Sequence, residues 1–160
     1  MRSFSTTGIL LLLLMIGVTT AQAASLSTMT INAVVLSKSQ CRFTTPNATL
    51  DFGNLDPTSG APVATSGSVT IRCGGSANPA TFLITDDDGL NSTGPGARRM
   101  QHTTLAGNFI PYNLTYSPAS GTIPKNTNTP VTVDASILGP DYQTALAGAY
   151  SDTVILIIAP

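Results

Sequence analysis

The chain contains no glutamate and no tryptophan, one histidine and two cysteines, and charged residues make up only 9% of it. Each scarcity excludes something. Glutamate is a good helix former, and its absence beside abundant Thr, Val and Ser argues against a helix-rich domain. Two distant cysteines and one histidine do not make a zinc set. A Ser–His–Asp arrangement would have to use His102, and no nucleophile elbow surrounds any serine. His102 itself reads as an exposed loop residue beside Arg98-Arg99-Met100. No phosphate-cradling glycine loop and no paired-carboxylate site is present, so catalysis is unsupported and neither cofactor nor metal is expected. The cations Lys38, Arg42, Arg72, Arg98, Arg99 and Lys125 are scattered, with no stripe to follow a nucleic-acid backbone.

Asp86-Asp87-Asp88-Gly89 begins like a calcium loop. Leu90 stands where a further oxygen ligand is required, and no bidentate glutamate follows. The segment reads as a turn, in which Asp and Gly satisfy local backbone donors. Asn47-Ala48-Thr49, Asn91-Ser92-Thr93 and Asn113-Leu114-Thr115 match the glycosylation triplet, as chance allows in a chain this rich in Asn, Ser and Thr.

The chain opens with Arg2, an apolar run from Ile9 to Val18 and the small-residue site Ala21-Gln22-Ala23. This pattern predicts a signal peptide over residues 1–23, since the run is too short to cross a bilayer. No later segment is long enough to span as a helix. The mature chain is therefore expected to be exported, as one domain. In that setting Cys41 and Cys73 are expected to form one disulfide.

Short alternating segments fill the rest. Thr28–Leu36 places Met29, Ile31, Ala33 and Val35 on one face at period two. Ala48–Phe52 reads as a second strand, followed by a Pro/Thr/Ser/Gly loop as far as Gly67. Ser68–Cys73 points Val69, Ile71 and Cys73 inward. Ala80–Thr85, Ile110–Tyr116 and Val131–Leu138 follow as strands, with Ala97–Gln101 a short segment between the first two. Pro140–Leu146 suits one helical turn. The last run, Val154, Ile155, Leu156, Ile157 and Ile158, reads as a strand buried on both faces, needing neighbours from earlier in the chain or from another chain. Many short strands between turns imply an all-β sandwich or barrel.

Taken in order, the alternating leader, Cys41, Leu50-Asp51-Phe52-Gly53, Val69-Thr70-Ile71-Arg72-Cys73, Asp88-Gly89-Leu90-Asn91, Arg98-Arg99-Met100, Pro111-Tyr112-Asn113-Leu114 and Ala147-Gly148-Ala149-Tyr150-Ser151-Asp152-Thr153-Val154 resemble the spore coat protein U domain family. That family includes subunits of archaic chaperone–usher pili. The resemblance covers nearly the whole mature chain. It implies an incomplete immunoglobulin-like sandwich of the pilin type over residues 34–160. Residues 24–33 would form an N-terminal donor-strand extension.

In that arrangement Met29, Ile31, Ala33 and Val35 enter a neighbour's groove. The Val154–Ile158 strand flanks this chain's own groove, where a chaperone and then another subunit pair with it. The implied partners are a periplasmic chaperone, an outer-membrane usher and identical or related subunits. The implied location is the periplasm and then an extracellular fibre that supports adhesion and biofilm formation. The alternatives are a spore or cell coat protein, and a monomeric carbohydrate-binding adhesin. From the residues alone, Thr28–Leu36 serves equally well as the domain's own first strand. The chain departs from its relatives in ending with Ala159-Pro160 rather than an aromatic residue on the last strand, and proline has no N–H to pair.

Overall fold

A computed structural model describes residues 28–34, 37–45 and 47–160. The predicted signal peptide and Val35 lie outside the described residues. Residues 28–34 form a unit separate from the domain and carry no strand. An extended segment that is not paired with a strand has no ladder.

The domain is nearly all β. The strands are β1 (Ser39–Phe43), β2 (Val63–Gly75), β3 (Ala80–Asp86), β4 (Arg99–His102), β5 (Phe109–Pro111), β6 (Asn113–Ser117), β7 (Ser120–Ile123), β8 (Asn128–Ile137), β9 (Tyr150–Ser151) and β10 (Leu156–Ala159), with one helix, α1 (Gly139–Gln143). A four-stranded antiparallel sheet has the order β1-β2-β8-β6. Two three-stranded sheets, β10-β3-β7 and β5-β4-β9, complete the fold.

Alternation explains the core. Val69, Ile71 and Cys73 of β2 are buried, as are Val131, Val133 and Ala135 of β8, while the residues between them face outward. Phe82 and Ile84 of β3 pack onto them from the other sheet. A second cluster joins Ile110, Tyr112, Ile137 and Tyr142. The Cys41–Cys73 disulfide ties β1 to β2 at directly opposed positions.

The sheet orders match an immunoglobulin-like sandwich. Lettered in chain order, β1-β2-β8-β6 is the A-B-E-D sheet, and β10-β3 is the F-C pair of the other. Where that fold places strand G, beyond β10, the described residues provide none.

Several expectations are corrected. Ala48–Phe52 is extended but belongs to no ladder, because Leu50 and Phe52 use their side chains to cover the core instead. β2 starts at Val63 rather than after Gly67, since Val63 to Gly67 pair with Ile137 to Val133. Tyr112 alone separates β5 from β6, which belong to different sheets. β7 has no counterpart among the segments expected as strands from the sequence. The last strand begins at Leu156 and is not buried on both faces: Ile155 and Ile157 are exposed, while Leu156 and Ile158 meet the core. It has one strand neighbour, β3, so its other edge has no strand paired with it among the described residues.

Candidate functional site

An apolar groove of about 800 Å³ runs between the segment from Phe43 to Phe52 and the segment from Tyr150 to Leu156. Its walls include Leu50 and Val154, and its floor includes Val69, Leu114 and Val133. The floor residues belong to β2, β6 and β8, whose inward alternation places them there. Leu50 reaches its place because Gly67 has no side chain; a Cβ there would meet Leu50 Cδ2 at 2.8 Å.

β10 bounds the groove. Asp87 N donates to Ile155 O at 3.2 Å, and Leu156 to Ala159 pair with Asp86 to Leu83. Antiparallel pairs alternate, so the backbone groups of Ile155 and Ile157 point toward β3, and those of Leu156 and Ile158 point outward. This leaves a row of backbone donors and acceptors beside an apolar trough. An unpaired sheet edge is a template for an added strand.

A polar knot holds this edge in place. Asp152 accepts from Tyr112 Oη at 2.7 Å and from Asn91 Nδ2 at 3.0 Å. Burial, followed by the bond to Asp152, pushes the Tyr112 hydroxyl well above its ordinary pKa. Asp87 Oδ1 accepts from Ile155 N at 2.9 Å and from Gly89 N at 3.0 Å. These two bonds, Ile155 first, hold the Asp87 carboxyl below the usual carboxylate range. Leu90 N donates to Thr153 O at 3.1 Å. Gly89 has φ +85°, and a Cβ there would overlap the Asp152 carboxylate.

Arg98 closes the knot from below. Its Nη2 donates to both Asp86 oxygens at 2.7 Å and approaches Asp88 Oδ1 at 3.1 Å. The Asp86 side chain is 4% exposed. Removing the guanidinium strands a buried carboxylate, and the loss of one partner from a buried pair costs about 3 kcal/mol. Arg98→Met should therefore lower the urea midpoint clearly, whereas Arg99→Met should lower it less, because Arg99 only caps Asn91 O and lies 4.0 Å over the Phe109 ring. Equal midpoints for Arg98→Met and the parent chain would contradict this.

His102 is buried, contrary to the expectation of an exposed loop residue. Its Nδ1 accepts from the backbone N–H groups of Thr104 (3.2 Å) and Leu105 (3.1 Å). That leaves the proton on Nε2, which donates to Ala147 O at 3.2 Å. The ring meets Tyr150 edge to face, and a Cβ on Gly148 would overlap it. It is a packing residue that fastens β4 to the chain entering β9. The turn reading of Asp86 to Gly89 is supported, since these carboxylates are occupied by Arg98 and by backbone amides.

The structure places Val154, Ile155 and Leu156 on the groove, brings Ile158 onto the core beside it, and leaves Ile155 and Ile157 about half exposed. Met29, Ile31 and Ala33 are exposed, Met29 by 83% and Ile31 by 84%. Sequence reasoning missed the floor and the Asp152–Tyr112–Asn91 contact. The signal for the second was the set of polar motif residues, which recur as small clusters and prove to be one site.

The fold and groove define a sandwich of the immunoglobulin class in which the unpaired edge of β10 borders the groove. The spore coat protein U domain matches residues 26–156, and the chain belongs to that family. Comparison with curated proteins gives no match. Among solved structures, one similar chain comes from work described as "Chaperone-tip adhesin complex is vital for synergistic activation of CFA/I fimbriae biogenesis". It is 16% identical with a TM-score of 0.48, and the match covers 77% of this chain and 41% of that one. This chain therefore corresponds to less than half the length of that structure's chain. No helix among the described residues is long and apolar enough to cross a membrane.

Proposed function

We propose that this chain is a structural subunit of a chaperone–usher surface fibre, assembled by donor-strand complementation. The observation that carries the reading is the outward-facing backbone of Leu156 and Ile158 beside the groove over Val69, Leu114 and Val133. A strand added there would pair with β10 and insert alternate side chains into the trough. The segment with Met29, Ile31, Ala33 and Val35 has that alternation, and its described members are exposed. Burying Met29, Ile31 or Val35 would contribute about 1.5–3 kcal/mol each before ordering costs.

On this reading residues 1–23 direct export. A periplasmic chaperone occupies the groove first, and at the outer-membrane usher residues 24–33 of another copy replace it. The assembled fibre serves adhesion and biofilm formation. The subunit does no chemistry.

The mature chain should run as a ladder on a denaturing gel when unboiled and collapse to one band on boiling. A single monomer band in both lanes, from chain recovered at the cell surface, would count against the proposal.

A further inference from the structure

The charges of the domain are sorted by pole. β1 begins, β2 ends, β3 begins and β7 hands over to β8 at one pole, as the pairs Ser39 with Gly75 and Ala80 with Ile123 require. Lys38, Arg42, Arg72 and Lys125 lie at or toward this pole. Arg42 stands directly opposite Arg72, and like charges so placed on a sheet repel. None of the four makes an ion pair among the described residues, where Arg98 alone does. A cleft of about 350 Å³ lined by Gln40, Arg42, Arg72 and Asn126 lies between them.

Every aspartate falls in the other half. Asp86, Asp87 and Asp88 end β3 and form the turn after it. Asp141 lies in α1, just past the end of β8. Asp134 is three residues from that same end. Asp51 follows Leu50, which rests on Gly67 in the far half of β2. Asp56 precedes Gly60, which abuts Gly139 and Gln143 of α1. Asp152 meets Tyr112 and Asn91. Arg98 and Arg99 share this half, and Arg98 is taken up by Asp86 and Asp88. Asp51 and Asp56 are exposed and without ion pairs.

Resting on the strand-addition reading above, we propose that the basic pole of one copy, through Lys38, Arg42 and Arg72, docks against the acidic pole of the next, through Asp51 and Asp56. The geometry follows from β10, which runs from the acidic pole toward the basic one. A donor segment antiparallel to it leaves the groove at the acidic pole. Its own domain then begins at its basic pole, so opposite charges meet. A parallel segment would leave at the basic pole and set like charges together. Lys38 is five residues beyond Ala33, at most about 17 Å of extended chain, so the two poles are held close. The contact is head-to-tail and does not close on itself, as a fibre requires.

The test compares two reactions of the mature chain, followed as gel ladders and as peptide capture: assembly of whole chains, and capture of a synthetic peptide covering residues 24–36. Raising salt from low levels to about 0.5 M, where the screening length falls to a few ångströms, should slow chain–chain assembly about tenfold while leaving peptide capture unchanged, because steering acts between poles. Arg42→Glu with Arg72→Glu should slow assembly similarly at low salt and still capture peptide. Adding Asp51→Arg and Asp56→Arg to those chains should restore it.

Equal assembly rates across salts and variants, with peptide captured normally, would overturn the pole contact and leave the strand reading intact. If the reversed chain assembles normally but loses retention on heparin, the basic pole is a polyanion site and the contact is likewise overturned. Failure to capture peptide at all would overturn the strand reading, and the pole contact with it.

Discussion

The Ile31→Asp chain should stay monomeric where the parent chain forms ladders. Ile31 sits at the centre of the apolar face made by Met29, Ile31, Ala33 and Val35, and it is exposed in the single chain. A carboxylate there costs the domain nothing in its unassembled state. In a groove floored by Val69, Leu114 and Val133 it would lose its water and find no cation, since no Lys or Arg lines that groove. Lost burial and added desolvation together are worth about 4 kcal/mol, or about a thousandfold in affinity. The variant should keep an intact disulfide and should still accept a parent donor peptide, because its own groove is unchanged. Ladders of normal length from Ile31→Asp would remove this segment from the assembly role.

The second large effect is expected from Cys73→Ser. Cys73 is fully buried and its bond to Cys41 closes a span of 32 residues. Loop closure of that size is worth about 4 kcal/mol in the chain-entropy account. A domain of this kind has about 5–15 kcal/mol in total. The bridge also anchors β1, an edge strand with one strand partner, close to where the polypeptide enters the sandwich. The variant should show a urea midpoint lowered by a molar or more and a reduced exported yield. A parent chain whose midpoint is unaffected by complete reduction would contradict the prediction.

The parts of the fold that were legible in the sequence are those where one face meets the core and the other meets water. Ser68 to Cys73 and Val131 to Ile137 alternate for that reason; both lie in strands, and Val69, Ile71 and Cys73 are inside as expected. The disulfide followed from compartment and count. β7 was not legible because Ser120-Gly121-Thr122 has no apolar period; it is a strand only because β3 offers it an edge. The terminal run misled in the opposite direction. Its unbroken aliphatic sequence suggests burial on both faces, yet Ile155 and Ile157 are exposed.

A long apolar run on an unpaired edge strand is a feature that folded proteins usually blunt, and this departure falls at the proposed site. His102 was misplaced because a buried, fully bonded imidazole leaves no periodic trace. The polar knot was legible only as motifs. Asn91, Tyr112 and Asp152 are far apart in the chain, and their convergence is a product of topology.

The central claim is that β10 has an unfilled outer edge which a strand from another copy completes. Amide hydrogen exchange at Leu156 and Ile158, compared with Ile157, tests it most directly. In the unassembled chain Leu156 and Ile158 should exchange quickly and Ile157 slowly, because only Ile157 faces β3. Adding a peptide covering residues 24–36 should slow Leu156 and Ile158 strongly and change Ile157 little. If all three amides are already equally slow in the lone chain, or if saturating peptide leaves Leu156 and Ile158 fast, the edge is not an acceptor and the account is wrong.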